Sequence, residues 1–432
     1  MSALSTITKQ KEVFMLKIVY PICCGIDVHK KFVVATIGIT NKSGVTDYQT
    51  RQFSTFTENL NQLLNWLKSQ NCINVCMEST GKYWHPVFNI LEEYCEVVIA
   101  NPKYVKGIRG KKTDKKDSIW LCDLHKHGLV QGSFIPPLPI RQIRDLMRYR
   151  FKLINFKSSE KNRIQNSLTV SNIMISNVVS DTFGVSSMKI INHILENPDD
   201  KDFDVSQMLH TRMREKAETI TKSIDGNLTK PQADKMRVCL GHFENIEKHI
   251  SELETVILGL SQPYMQQIEI ILSLPSIKDI FTAIAVIGEI GVDMTVFHSS
   301  KHICSWAGLT PQNNESAGKK KSVRVSRAGV YIKPLLVQCA NAAIKSKKCP
   351  YFKAHYDQIK RRRGHKKAII AIAHMLLNSI YNMLAKNEKF NYELYKIDSK
   401  PKQTYAPQLT EEMAVRYLQT LGYQIPDMPK IT

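Results

Sequence analysis

Apolar runs near the start of the chain predict a β-sheet. Runs rich in Val, Ile and Cys at residues 22–27 and 32–39 flank a tight turn at residues 29–31, which predicts a hairpin. A third strand is predicted at residues 49–55. Shorter apolar runs at residues 74–77 and 96–100 predict two further strands.

Helical periodicity appears between the later strands. Residues 57–69 carry leucines at helical spacing, with Thr57 as a candidate cap, and residues 83–93 predict a second helix. The leucines of the first helix are Leu60, Leu63, Leu64 and Leu67. The element order is strand, strand, strand, helix, strand, helix, strand, helix. It predicts an α/β, RNase H-like (RuvC-like) domain with a mixed sheet over residues 21–135.

The middle of the chain, residues 136–265, is predicted to be helical, with a variable insert at residues 182–230. Its clearest part has apolar residues at alternating spacings of three and four, which is a heptad seam. The seam consists of Met236, Cys239, Phe243, Ile246, Ile250, Leu253, Ile257 and Leu260. An amphipathic helix within its own domain fits this pattern, and so does a coiled coil with another helix or another chain. Pairing with another chain predicts a homo-oligomer, either a dimer or a tetramer.

A second compact domain, mostly helical, is predicted over residues 266–389, between the helical middle and a tail at residues 390–432. It contains a polar loop at residues 308–327 and a long apolar helix at residues 368–385. His374 and Asn378 interrupt the apolar helix, so we predict a buried core helix and no membrane span. Residues 1–20 form a polar extension without a signal-peptide pattern.

The charge of the chain changes the functional question. Apolar residues make up 43 % of the chain, so it is expected to fold. Lys and Arg outnumber Asp and Glu by 60 to 39, a net charge of +21, which predicts a polyanionic partner, nucleic acid before acidic lipid. The ten cysteines include no CxxC pair, so we expect free thiols in a reducing cytoplasm and no zinc site.

Four acidic residues stand where a nuclease would need them. Asp27 and Glu78 each close a predicted strand, and Asp114 and Asp117 share one helix face. Carboxylates that converge in this way can hold two Mg²⁺ ions on either side of a scissile phosphate. Taken singly, each acid is more often a turn or cap residue. The combination predicts a two-metal Mg²⁺ site.

Basic residues surround these acids and recur later in the chain. Their composition suits contacts with phosphate, although a solvated helix face would have the same composition. The last cluster is interleaved with Tyr351, Phe352 and Tyr356, which suits RNA or distorted DNA. The candidate nucleic-acid-binding residues are Lys111, Lys112, Lys115, Lys116, Lys319, Lys320, Lys321, Arg324, Arg327, Arg361, Arg362 and Arg363.

Several segments resemble one family of mobile-element enzymes. CGIDVHKKF, CMESTGKYWHPV and ANPKYVKGIRGKKTDKKDSIWLCDLHKHG resemble the RuvC-like domain of the DEDD transposases of the insertion-sequence one-ten family. SWAGLTPQNNESAGKKKSVRVSRAG resembles the C-terminal transposase domain of the same family. The resemblance covers about residues 20–130 and 268–388, with both signatures in the family's order.

The resemblance implies a recombinase that acts on double-stranded DNA, both element ends and target, under the guidance of a bridge RNA. It makes Asp27, Glu78, Asp114 and Asp117 the metal ligands and Ser316 the nucleophile that links covalently to DNA. In the family these two halves of the site meet between protomers. The sequence departs from the family pattern in two places. Residues 316–318 read Ser-Ala-Gly where the family usually has Ser-Gly, and residues 274–278 lack the glycines of the Pro-Gly-Ile-Gly turn that is common in the family.

Two other functions remain open from the sequence. A RuvC-like nuclease or junction resolvase would hydrolyse DNA with water and would not need Ser316. A non-enzymatic nucleic-acid-binding descendant would not need the four acids. Ser322 and Ser326 compete with Ser316 as nucleophiles, and a polar turn residue is the alternative for Ser316 itself.

Overall fold

The computed structural model describes residues 16–105, 113–197, 200, 203–311, 314–316, 319–322, 324–395 and 418. The chain divides into two compact units, Met1–Pro136 and Pro137–Thr432. Most of the predicted tail, residues 396–432 apart from residue 418, lies outside the described residues.

The first unit is an α/β domain around a five-stranded sheet. Its elements are β1 (Ile22–Val28), β2 (Phe32–Thr40), β3 (Thr46–Ser54), α1 (Thr57–Ser69), β4 (Asn74–Glu78), α2 (Trp84–Leu91), β5 (Glu96–Ala100), α3 (Pro102–Val105) and α4 (Asp114–Lys126). The strand order is β3-β2-β1-β4-β5. β1 pairs antiparallel with β2 and parallel with β4, so the predicted mixed, RNase H-like sheet is confirmed.

The main core of this unit lies on the sheet face that α1 and α2 cover. Alternate residues of β1, such as Cys24 and Ile26, point into it because side chains in a strand alternate between faces. The four predicted leucines of α1 are all buried there. The predicted cap was wrong: Thr57 is the first helical residue, and Phe56 occupies the cap position without a side-chain hydrogen bond.

The second unit is mostly helical. Its helices are α5 (Leu138–Val170), α6 (Val185–Glu196), α7 (Ala217–Ser223), α8 (Lys230–Ser261), α9 (Met265–Leu272), α10 (Ile280–Ile290), α11 (Ser300–Trp306), α12 (Ile332–Ala343), α13 (Pro350–Arg363) and α14 (His365–Lys386). The strands β6 (Asn314–Ser316) and β7 (Lys319–Ser322) form a short antiparallel pair between α11 and α12. In the described part of this unit, short 3₁₀ helices lie at Ile175–Asn177, Val205–Met208, Thr211–Lys216, Gln262–Tyr264, Met294–Val296 and Tyr392–Tyr395.

The heptad seam of α8 packs against α5 of the same chain. Ion pairs cross between the two helices, from Arg150 to Glu254 and from Lys157 to Glu247, each at 2.5 Å. Residue numbers rise on α5 as they fall on α8, so the helices are antiparallel. Another helix of this chain therefore packs on the seam, as one of the two alternatives predicted, and the homo-oligomer stays a prediction.

α14 is the one described helix that is long and apolar enough to cross a membrane. It is a core helix, because its apolar face packs within the second unit against α9, α11, α12 and α13. The buried residues of that face are Ala368, Ile369, Ile372, Ala373, Leu376, Leu377, Ser379, Ile380, Met383 and Leu384. Nearby, α9 and α10 are joined by a turn at residues 273–279, in which Leu274 and Ile277 are buried, so a helix–turn–helix forms without the two glycines.

Candidate active site

The first acidic pair comes from two neighbouring parallel strands. β1 and β4 pair in register up to Ile26 and Met77, so Asp27 and Glu78 are the next residues along each strand. Residues opposite each other in adjacent strands point to the same face of a sheet. Asp27 and Glu78 therefore lie side by side at the carboxyl edge, on the face opposite the main core.

α4 covers that face at unusually close range. A Cβ atom on Gly25 would lie 2.3 Å from both the Ser118 carbonyl oxygen and the Cys122 amide nitrogen, so only glycine permits this approach. Thr36 and Ser118 share a hydroxyl hydrogen bond of 2.7 Å, which ties the helix to β2. Cys23 and Cys122 meet further along, with their sulfur atoms 3.6 Å apart. α4 thus runs antiparallel to β1, and its first turn reaches the end of β1 that carries Asp27.

The first turn of α4 holds the second acidic pair. Thr113 is the N-cap, and its side chain accepts a hydrogen bond from the Lys116 amide at 3.3 Å. Because Thr113 fills the capping role, Asp114 and Asp117 are not needed for it. Their negative charges are nevertheless favourable beside the positive end of the helix dipole.

His29 joins the two acidic pairs. Its Nε2 atom lies 3.2 Å from Asp27 Oδ2 and 3.4 Å from Asp114 Oδ1. This atom is buried and makes no hydrogen bond of good geometry to any described residue. One ligand atom each from Asp27, His29 and Asp114 lies within 4.8 Å of the others, a group that could hold a metal ion.

The electrostatics of the cluster favour a cation. Burial raises the pKa of Asp27, and the neighbouring Asp114 and Asp117 raise it further, whereas His29 lowers it. The side chain of Asp27 is only 12 % exposed, so its charge receives little help from water. Negative groups packed this closely repel one another unless a positive charge stands between them.

This donor set fits a divalent metal. Carboxylate oxygens are the ligands that Mg²⁺ prefers, and an imidazole nitrogen extends the set to Mn²⁺ or other transition metals. His29 Nε2 lies close to both carboxylates, so this nitrogen could join them around one ion. Asp117 and Glu78 lie outside the closest group, Asp117 one helical turn along and Glu78 on the adjoining strand.

Ser316 lies in the second unit, as the last residue of β6. β6 and β7 form a hairpin stem in which Ser316 pairs with Lys319, and a bridge between Pro311 and Val325 extends it. The two residues after Ser316 fall outside the described residues, as do side-chain details of the hairpin. The sequence predicted a polar loop here and did not predict the strand pair.

Two glycines close the base of this hairpin. A Cβ atom on Gly329 would lie 2.2 Å from the Ala307 carbonyl oxygen, and one on Gly308 would lie 2.7 Å from the Ala328 carbonyl oxygen. Both glycines have positive φ angles, +67° and +68°. Lys333 donates a 2.6 Å hydrogen bond to the Ser326 carbonyl oxygen across the same base. Backbone packing therefore holds together the two ends of the loop at residues 308–327, which carries Ser316 and is called the serine loop below.

The predicted phosphate-binding residues have different outcomes. Lys115 and Lys116 are exposed on α4 beside Asp114, and Arg324 and Arg327 are exposed after the hairpin. Lys319, Lys320 and Lys321 lie in β7, whose side chains are outside the description. Lys111 and Lys112 lie outside the described residues.

The last basic cluster forms a helix–glycine–helix corner. Arg361, Arg362 and Arg363 end α13, and α14 starts after Gly364, whose φ is +79°. All three arginines are exposed. Positive side chains are electrostatically favourable at a helix C-terminus. The three arginines therefore stabilise α13, besides any contact that they make with a ligand.

His29 is a site residue that was not predicted from the sequence. Residues 29–31 were predicted to form a tight turn, and they do form one, in which the His29 amide donates to the Phe32 carbonyl oxygen at 3.0 Å. The spacing Asp-x-His at the end of a buried strand was the available signal. It was weak, because the partner Asp114 lies far away in the sequence.

Comparisons with known proteins agree with this arrangement. Residues 24–173 match the IS110-type DEDD transposase family, and residues 268–357 match the transposase IS116/IS110/IS902 family. A transposase for insertion sequence element IS1111A from Coxiella burnetii (strain RSA 493 / Nine Mile phase I) is 28 % identical over 116 residues. That match covers 25 % of this chain and spans only 30 % of the relative's length.

Proposed function

The chain belongs to the IS110 family of transposases, and from this premise we propose that it cuts and rejoins DNA at the ends of an insertion sequence. The observation that carries the proposal is the convergence of Asp27, His29 and Asp114, with Asp117 and Glu78 beside them. Carboxylates that converge in this way, with Asp27 only 12 % exposed and Asp114 48 % exposed, are stabilised by a bound cation. The presence of this cluster in a chain of net charge +21 supports a metal site that acts on DNA.

Each residue of the cluster has a defined task in this proposal. Asp27 and Asp114 hold the metal, and Glu78 and Asp117 complete the carboxylate set for Mg²⁺. A bound Mg²⁺ supplies Lewis-acid polarisation of the phosphate and lowers the pKa of an attacking hydroxyl group. His29 lies between Asp27 and Asp114 and would offer Nε2 as a further ligand.

Ser316 carries the strand-transfer step in this proposal. Its Oγ atom attacks the scissile phosphorus, a Ser–O–P bond forms, and the bond from phosphorus to the 3′ oxygen breaks. The 3′ oxygen leaves with the proton, so the phosphodiester energy is stored in the serine ester. A new 3′-hydroxyl attacks the same phosphorus, reseals the DNA and returns the proton to Ser316.

The nucleic acids extend the proposal. Lys115 and Lys116 next to Asp114, and Arg324 and Arg327 after the hairpin, would contact phosphates around the cut. We assign the α13–α14 corner, with Arg361, Arg362 and Arg363, to a guide RNA, with support from the family resemblance. The same resemblance supports a cytoplasmic homo-oligomer.

Substitutions on one helix test the metal part. Asp114→Asn should abolish Mg²⁺-dependent cleavage of a plasmid that carries the element ends, and Asp123→Asn is the matched control. Asp123 lies on the same helix α4 but pairs with Lys126 at 2.8 Å, away from the cluster. Equal loss in both variants would mean that the helix, and not the cluster, had been disturbed.

Substitutions in the serine loop test the second part. Ser316→Ala should remove the covalent protein–DNA adduct seen on a denaturing gel, whereas Ser322→Ala and Ser326→Ala should retain it. If Ser316→Ala still cleaves DNA in Mg²⁺ with no adduct in the wild type, the chain is a nuclease that uses water. That outcome would favour the resolvase-like alternative.

A further inference from the structure

Phe56 is the most exposed aromatic residue among those that the structure describes. Its side chain is 77 % exposed, between β3 and α1 in the first unit. The proposed reaction does not use it, and it belongs to none of the hydrophobic core clusters found among the described residues. A phenylalanine that contacts only water gives up the free energy that burial of its ring would provide.

The position of Phe56 has a second cost. It is the N-cap of α1, a position that favours Ser, Thr, Asp and Asn, and its side chain makes no capping hydrogen bond. Thr55 and Thr57 on either side show that a capping residue type is available locally. A residue type that is unfavourable both as a helix N-cap and on an exposed surface is expected where function requires it.

The surroundings of Phe56 indicate what it binds. Thr55 joins its loop to the β1–β2 turn: the Thr55 amide donates to the Lys31 carbonyl oxygen at 3.1 Å, and the Thr55 hydroxyl donates to the Lys30 carbonyl oxygen at 3.0 Å. Lys30 and Lys31 are both exposed. The same turn carries His29 of the acidic cluster. The loop that carries the exposed ring is thus hydrogen-bonded to the turn that carries both lysines and His29.

The strand register sets the distance to the cluster. Asp27, Val34 and Gln52 lie in one row across β1, β2 and β3, which spans about 10 Å. Phe56 follows Gln52 by four residues along β3 and its loop, at the same edge of the sheet as Asp27. Phe56 therefore stands within a few nucleotides of a phosphate held at the carboxylates.

We propose that Phe56 stacks on an unpaired base of the DNA strand entering the carboxylate site, while Lys30 and Lys31 contact the phosphates beside that base. Base–aromatic stacking next to basic side chains is the usual recognition of single-stranded nucleic acid and accepts any base. The ring would hold the strand apart from its complement near the cut. This inference rests on the proposed function, because it takes the carboxylate cluster as the destination of the strand.

Binding measurements on the full-length protein test the inference. Fluorescence anisotropy would compare a duplex whose end is splayed by non-complementary bases with a fully paired duplex of equal length, without divalent metal so that no strand is cut. Phe56→Ala should weaken binding to the splayed duplex by about tenfold and leave the paired duplex unchanged. Phe56→Trp should keep the wild-type affinity for both.

Val45→Ala is the matched control. Val45 is 65 % exposed in the β2–β3 turn at the opposite end of the sheet, so its removal should change neither affinity. Thermal unfolding of Phe56→Ala should match the wild type closely, because Phe56 is 77 % exposed and lies outside the core clusters of the described residues. Equal affinity of Phe56→Ala and wild type for the splayed duplex would overturn the inference, as would loss of an oligomer in Phe56→Ala by light scattering, which would assign the ring to a protein interface.

The outcome is separable from that of the proposed function. Cleavage in Mg²⁺ by the wild type decides the proposed function, and the metal-free difference between wild type and Phe56→Ala decides the role of the ring. A chain that binds splayed DNA through Phe56 but never cuts it would retain this inference alone. A chain that cuts DNA with Phe56→Ala binding unchanged would retain the proposed function alone.

Discussion

Replacement of Gly25 by alanine should separate α4 from the sheet and disable the acidic cluster. The added Cβ would lie 2.3 Å from two backbone atoms of α4, the Ser118 carbonyl oxygen and the Cys122 amide nitrogen. A side chain could rotate away from such a clash, but a helix backbone moves only as a whole. Overpacking of a core costs about 1–3 kcal/mol, and we expect Gly25→Ala at or above the upper end, about 3 kcal/mol.

Gly38→Ala provides a graded comparison on the same face. Its added Cβ would lie 2.8 Å from the Cys122 sulfur, an atom at the end of a side chain, so we expect a smaller cost of about 1 kcal/mol. Gly44→Ala would meet no atom within 4 Å, so its cost should come only from its φ of +83°.

Urea unfolding followed by tryptophan fluorescence measures the effect, because three of the four tryptophans, Trp66, Trp84 and Trp120, lie in the first unit. Among the three glycine variants, we expect the urea midpoint of unfolding to fall most for Gly25→Ala. This variant should also lose its affinity for Mn²⁺ under conditions in which the protein is still folded. A Gly25→Ala protein with the wild-type midpoint and wild-type Mn²⁺ affinity would refute the close packing of α4 on β1.

Three further predictions concern other parts of the molecule. Burial lowers the pKa of His125 from 6.5 to about 4, so the folded state should lose about 3 kcal/mol as the pH falls from about 6.5 to 4, because the unfolded chain takes up the proton first. Measured by thermal unfolding, this loss of stability in acid should be smaller in His125→Phe and unchanged in His127→Gln, a half-buried histidine of the same segment. Arg148→Met should lower the free energy of unfolding by about 3 kcal/mol, because it leaves the buried carboxylate of Glu289 without its two hydrogen bonds of 2.7 and 2.9 Å. Lys222→Met removes an exposed ion pair and should leave the unfolding midpoint unchanged. Gly329→Ala should unfold the base of the β6–β7 hairpin and reduce the yield of the covalent adduct. Gly364 has a similar φ but open space around it, so Gly364→Ala should retain adduct formation. Equal adduct yields in the two variants would contradict the packing at Ala307.

The sequence was sufficient for most of the first unit because its signals are local. Alternating and continuous apolar runs gave β1, β2, β4 and β5, and the leucine periodicity gave α1 with its observed bounds. The cap of α1 was the exception. Local propensity favours Thr57 at that position, and the structure instead places Phe56 there, which is the kind of departure from local preference expected at a binding surface.

The candidate site could be predicted only in part, because some of its contacts join residues that lie far apart in the sequence. Asp27, Glu78, Asp114 and Asp117 could be selected by strand ends and helix spacing, together with a family resemblance. His29 could not, since its role depends on a contact with Asp114 that is made only when α4 packs against Gly25. The seam of α8 shows the same limit, because a heptad pattern does not indicate whether its partner belongs to the same chain.

The central claim is that the acidic cluster of the first unit binds divalent metal. Isothermal titration of the metal-free, full-length protein with Mn²⁺, in the absence of DNA, tests it most directly. We expect saturable binding in the wild type, loss of that binding in Asp27→Asn and in Asp114→Asn, and retention in Asp123→Asn. Wild-type Mn²⁺ affinity in Asp27→Asn, or no saturable binding in the wild type, would contradict the account.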